Sequence, residues 1–212
     1  MITILCYGDS NTNGCNPSTQ TRLKRDERWT GILQKILGDD YYVIEEGLGG
    51  RTTVWDDPIE EDKNGGKYLL PCLESHKPID LVIIMLGTND TKYRFSLTEF
   101  DISWGMENLI RKIKKSEAGR DEAEPKILLM APAPIEPVGD FAMMFKNAAE
   151  KSVGLSECYR ILANKYEIEF LDLASIVSVS KDDGVHLDGM SHKILAKEVS
   201  EIVEKIWQSK SI

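Results

Sequence analysis

Ile2-Thr3-Ile4-Leu5-Cys6-Tyr7-Gly8-Asp9-Ser10-Asn11 begins as an apolar run and ends as a polar turn. A run this short, rich in Ile and Leu and closed by glycine, predicts a strand buried on both faces, as in parallel sheets. Ser10 then stands just past the carboxyl end of that strand, the edge where open α/β sheets bind ligands. Far along the chain, Asp183-Gly184-Val185-His186 sets an acid three residues before an imidazole. A hydroxyl becomes a strong nucleophile when an imidazole takes its proton, and the imidazole needs a carboxylate to fix its tautomer. These residues are therefore the raw material of a Ser-His-Asp triad.

Outward from this stretch, the same pattern recurs. Thr3 to Tyr7, Tyr42 to Glu46, Asp80 to Leu86, Lys126 to Met130 and Glu169 to Asp172 read as five buried strands. Trp29, Ile32, Leu33, Ile36 and Leu37 recur at helical spacing, with Gly38 as the stop. Thr98 with Asp101 opens another helix, whose stripe is Ile102, Met106, Leu109, Ile110 and Ile113 and whose end gathers Arg111, Lys112, Lys114 and Lys115. One long helix is expected over Met143 to Lys165, with Gly154 its weak point, and a last one over Ser191 to Trp207. Alternating strand and helix predict a three-layer α/β/α sandwich around a five-stranded parallel sheet, flavodoxin-like in layout, as one domain over residues 1–212. The charge-rich Glu117 to Glu124 is expected to be a solvated, disordered loop, and Asp56 to Tyr68 and Pro132 to Phe145 are expected to be long loops.

Composition narrows the partners. The 26 Lys and Arg residues face 35 Asp and Glu, a net charge of −9, without the dense basic block that nucleic acid requires. The longest apolar runs, such as Leu81 to Leu86, are too short to span a bilayer. The uncharged Met1 to Tyr7 reads as a first strand rather than a leader. Cys6, Cys15, Cys72 and Cys158 show no close pairing, which points to reduced thiols and a cytoplasmic location.

Four polar loops fall at strand ends: Gly8 to Asn11, Gly47-Leu48-Gly49-Gly50-Arg51-Thr52-Thr53, Gly87-Thr88-Asn89-Asp90, and Asp183 to His186. In this order they resemble the SGNH, or GDSL, hydrolase family across almost the whole chain. Arg28-Trp29-Thr30-Gly31, Glu45 to Leu48, Arg51 to Thr53, Asp56-Asp57-Pro58 and Asp80 to Lys92 are similar to its arylesterase and acyltransferase subgroup. The resemblance implies Ser10 as nucleophile, His186 as general base and then acid, and Asp183 as the residue that orients it. It also implies an oxyanion hole of the Ser10 N–H, the Gly50 N–H and the Asn89 side-chain amide, and a homo-oligomer.

Some choices stay open at this level. Gly49 competes with Gly50 for the oxyanion N–H, and Asp182 with Asp183, where the D-x-x-H spacing favours Asp183. Ser10 read alone is also a helix N-cap, Asn89 with Asp90 a turn pair, Gly50 a turn glycine and His186 a loop histidine. His76 and His192 read as satisfied surface or cap groups. A metal reading of Asp182, Asp183, His186, Asp188 and His192 fits no ligand frame, so neither metal nor cofactor is expected. Trp55, Cys15, Phe141 and Met143 fall near the rim, as substrate lining or as packing.

The function expected is hydrolysis of small, short-chain carboxylic esters through an acyl-serine, with transfer of the acyl group to other alcohols as a second activity. A deacetylase of acetylated carbohydrates and a non-catalytic small-molecule or carbohydrate-binding module are the alternatives. A flavodoxin-like nucleotide binder is disfavoured, because Gly8 to Gly14 lacks a phosphate cradle and carries Asp9 where an anion would sit. Activity is expected to fall as His186 protonates around its reference value of about 6.5.

Overall fold

The computed structural model describes residues 1–208. β1 (Ile2–Gly8) leads through the short α1 (Ser10–Asn13) and α2 (Trp29–Leu37) to β2 (Tyr41–Gly47). α3 (Gly65–His76) and β3 (Leu81–Met85) follow, then α4 (Glu99–Lys114), β4 (Lys126–Ala131), α5 (Asp140–Met144), α6 (Ala148–Tyr166), β5 (Glu169–Asp172) and α7 (Gly189–Gln208). All strands pair in parallel in the order β2-β1-β3-β4-β5.

Side chains alternate across a pleated strand, so each strand feeds two cores. Leu5, Tyr7, Val82, Ile84 and Leu129 pack beneath α3, α4 and α6; Ile4, Cys6, Ile83, Leu128 and Met130 pack beneath α2 and α7. This is the expected three-layer α/β/α arrangement. The chain passes from β1 outward to β2, then crosses back over β1 to β3 by way of α3. Strand order therefore reverses between β1 and β3, and a crevice opens beyond their carboxyl ends. Ser10 leaves one strand there and Asn89 the other.

Three expectations need correction. The expected loop Asp56 to Tyr68 ends at Asn64, which caps α3 by accepting from Lys67 N. Gly65-Gly66 at its start and Pro71 inside it hid this helix from the sequence. The expected helix from Met143 splits into α5 and α6, because Asn147 adopts φ 62 while Phe145 and Ala148 turn into a small core with Ile135 and Val185. Gly154 remains helical within α6. The charge-rich segment 117–124 is tied down rather than free: Arg120 grips Asp80 at 2.6 and 2.9 Å and the Met1 carbonyl at 2.6 Å. The capping box of Thr98 and Asp101 forms as expected. No helix among the described residues is long and apolar enough to cross a membrane.

Candidate active site

Ser10 is the first residue of α1, and the cap in front of it is Asp9, whose carboxylate accepts from Asn11 N at 2.9 Å. The cap role that Ser10 alone suggested thus belongs to its neighbour. Burial pushes the Asp9 carboxyl up to about 6, against the pull of the Asn11 N–H.

The His186 loop reaches this turn through Asn11. Its Oδ1 accepts from Leu187 N at 2.9 Å, and its Nδ2 donates to the Val185 carbonyl at 3.3 Å. Gly184 lets the loop close: its φ is 71, and a Cβ there would stand 1.8 Å from the Glu136 carbonyl oxygen. His186 Nε2 lies 2.9 Å from Ser10 Oγ, and Nδ1 lies 2.6 Å from Asp183 Oδ2. With the proton on Nδ1 donated to Asp183, Nε2 accepts the serine hydroxyl.

Asp183 also accepts from the backbone N–H groups of Val185 and His186, each at 2.9 Å, and from Gln20 Nε2 at 3.0 Å. Burial raises its pKa, but these bonds and His186 outweigh it and hold the carboxyl well below the usual range. Asp182 accepts instead from the Ser18 hydroxyl. Burial lowers the pKa of His186; the Asp183 and Cys15 interactions overcome it and raise the imidazole to about 9.

The segment after β2 supplies the other side. Arg51 N donates to Leu48 O at 3.1 Å, closing a turn around Gly49 and Gly50. Gly50 has φ 82, and a Cβ there would meet Glu60 Oε2 at 2.5 Å; at Gly49 a Cβ would meet nothing within 4 Å. Glycine is required at the second position and not at the first. Among the described residues, neither the Ser10 nor the Gly50 N–H donates to another protein group. Asn89 Nδ2 spends one hydrogen on Arg51 O at 3.2 Å and keeps one.

This segment is pinned from several directions. Arg51 donates to Gly8 O at 2.9 Å, and Asp90 accepts from Thr53 N at 3.0 Å and from its hydroxyl at 2.5 Å. Burial pushes Asp90 up to about 6 despite those bonds. Farther out, Asp57 takes Arg94 at 2.7 and 3.1 Å, and Lys92, only 2% exposed, reaches Glu60 at 3.2 Å.

Phe141 packs edge-on against the His186 ring at 5.7 Å, whereas Met143 is 79% exposed. His76 pairs with Glu46 at 2.9 Å. His192 is fully buried rather than a surface group: Nδ1 accepts from Trp29 N at 3.3 Å, Nε2 has no partner among the described residues, and burial lowers its pKa to about 4. Asn11 and Gln20 are the site residues that sequence reasoning gave no role. Asn11 was signalled only by its place beside Ser10, and Gln20 by nothing in its neighbourhood.

An open parallel sheet with a hydroxyl, an imidazole and a carboxylate in one hydrogen-bonded line at its switch point is the frame of a carboxylic ester hydrolase. The GDSL-like lipase/acylhydrolase family matches residues 6–194, and the chain belongs to that family. It is similar to a carbohydrate acetylesterase from Sinorhizobium meliloti, 40% identical with a TM-score of 0.94, over 98% of this chain and 100% of that one. An aryl esterase from M. smegmatis is 39% identical with a TM-score of 0.93, covering 97% and 99% of the two chains. An acetylxylan esterase from Xylanibacter ruminicola is 25% identical over 96% of this chain, which spans 43% of that relative's length.

Proposed function

We propose that the chain is a serine esterase acting on small, short-chain carboxylic esters. The observation that carries this reading is the unbroken line from Ser10 Oγ through His186 to Asp183, at 2.9 and 2.6 Å. His186 takes the Ser10 proton as Oγ attacks the ester carbonyl. The Ser10 and Gly50 N–H groups and the Asn89 amide stabilise the tetrahedral oxyanion. His186 then protonates the departing alcohol, leaving an acyl-serine. Water attacks that intermediate with His186 again as base, and a carboxylic acid and free Ser10 result. A second alcohol in place of water gives acyl transfer. Asp183 stabilises the imidazolium in each step, and Gln20 and Asn11 act as positioning residues.

Removal of an acetyl group from a carbohydrate is the second reading, favoured by two relatives named as acetylesterases of carbohydrate or xylan. Exposed Phe100 and Trp104, in contact on α4, support a homo-oligomer, which light scattering of the purified protein checks. The four unpaired cysteines support a cytoplasmic location and the net charge of −9 disfavours nucleic acid as a partner.

The test is hydrolysis of an aryl acetate and of an acetylated xylo-oligosaccharide by the wild type and by Ser10→Ala. Loss of both activities in the variant supports the serine cycle, and the ratio of the two wild-type rates separates the two readings. Equal rates with and without the hydroxyl would sink it; no rate from either protein would favour a binding module.

A further inference from the structure

Glu46 lies on the edge strand β2, one residue before its end, and α3 crosses the same face of the sheet. Cys72 and His76 stand four apart on α3, a spacing that brings two side chains to one face of a helix. The Cys72 thiol, an imidazole nitrogen of His76 and a carboxylate oxygen of Glu46 all lie within 4.8 Å of one another. None of the three belongs to the hydrogen-bonded line of Ser10, His186 and Asp183.

We propose that Glu46, Cys72 and His76 form a binding site for a divalent transition metal, with Zn²⁺ the ion that suits their chemistry. A carboxylate, an imidazole and a thiolate together make the mixed oxygen, nitrogen and sulfur set that zinc accepts and that calcium and magnesium refuse. Zinc bonds of about 2.0 to 2.3 Å put tetrahedral donors about 3.3 to 3.8 Å apart. The observed donors, all within 4.8 Å of one another, approach that spacing. An ion pair alone accounts for His76 against Glu46 at 2.9 Å. The Cys72 sulfur, buried in the core with Leu69 and Leu73, adds a third donor beside that pair.

Three protein ligands leave a fourth position for water. Glu46, Tyr68 and Pro71 also line a cavity of about 760 Å³, which gives an ion a path from solvent. On coordination the Cys72 sulfur–hydrogen bond breaks, its proton passes to buffer, and the sulfur bonds to the metal as a thiolate.

The experiment is titration of the chelator-treated, full-length protein with Co²⁺, followed by absorbance and then by displacement with Zn²⁺. One ion per chain is expected, with a thiolate-to-cobalt charge-transfer band and tetrahedral d–d bands. Cys72→Ser should remove the charge-transfer band, and the half-exposed His76→Ala should weaken binding more than the about 10- to 100-fold typical of losing a mere neighbour of a ligand. Cys15→Ser and Ser10→Ala should leave the titration unchanged, so that failure of the esterase reading and failure of this one are told apart. No charge-transfer band in the wild type, a band that survives Cys72→Ser, or a band that vanishes with Cys15→Ser would overturn the proposal.

Discussion

The turn after β1 and the segment after β2 leave the same edge of the sheet and face the same crevice, but they are held by opposite means. Asp9 caps α1 two residues from its own position, and Asn11, beside the Ser10 hydroxyl, links that turn to the His186 loop. Residues 48–64 have local bonds too, such as Asp57 accepting from Ile59 N and Glu60 N, but they also lean on distant partners. Arg51, Thr53, Asp57 and Glu60 each depend on a partner from elsewhere, and Asp57 and Arg94 stand 37 positions apart. The reacting groups thus sit on a short turn with little freedom to lose. The proposed oxyanion donor at Gly50 sits on a segment whose shape depends on salt bridges and buried polar contacts. Damage to the first half should remove chemistry without unfolding; damage to the second should cost both rate and stability.

The largest effect tests the first half. Ser10→Ala is expected to lower kcat/KM about 10,000-fold or more while leaving the melting temperature unchanged, since among the described residues the hydroxyl bonds only to His186. A rate loss accompanied by unfolding would erase the contrast between the halves.

Gly50→Ala comes next, with kcat expected to fall about a hundredfold. Its φ of 82 strains any side chain there and drives the turn, and the N–H with it, to move, while the Glu60 carboxylate swings aside from a Cβ. Gly49→Ala is the internal control, because a Cβ there meets nothing within 4 Å. Saturation kinetics on an aryl acetate check the pair, and equal losses at both positions would remove Gly50 from the proposed oxyanion hole.

Lys92→Met probes the outer pinning. The ammonium is 2% exposed between Asp57 and Glu60, so its loss should cost about 2 kcal/mol in denaturant unfolding, in the range of hydrogen bonds to charged groups. Asp57 keeps Arg94, which spares the full penalty of an unpaired buried charge. A severalfold fall in kcat/KM should accompany it. Lost stability with an unchanged rate would confine the network to a structural role.

The same contrast explains which parts were legible in the sequence. Each buried strand is a short apolar run because both faces are covered, and the Asp183-to-His186 spacing suffices because one turn of loop brings the two together. α3 was not legible, since Gly65, Gly66 and Pro71 mimic a loop until Asn64 caps it. Asp57 and Lys92 were noticed only as parts of strings resembling a subgroup; that they meet depends on how segment 57–60 folds over the rim. Gln20 reaches Asp183 from a backbone at φ 57, a conformation no neighbouring residue announces. Glu46, Cys72 and His76 converge only because α3 returns over the strand that precedes it.

The smallest effect returns to the first half and concerns Cys15. Cys15 lies beside His186 and, with Asp183, raises the imidazole to about 9 against the opposing effect of burial. A general base must be deprotonated, so kcat/KM should rise with pH through that value. Stability runs the other way: the raised pKa favours the folded state below the unfolded reference of about 6.5, and that contribution fades as pH climbs through about 9. Cys15→Ser removes the sulfur's share and leaves the Asp183 bond at 2.6 Å in place. Its acid limb in a pH–rate profile should therefore shift to lower pH, with the plateau rate retained. An unmoved limb would mean that Asp183 alone sets the imidazole, and that the turn after β1 owes nothing to the thiol beside it.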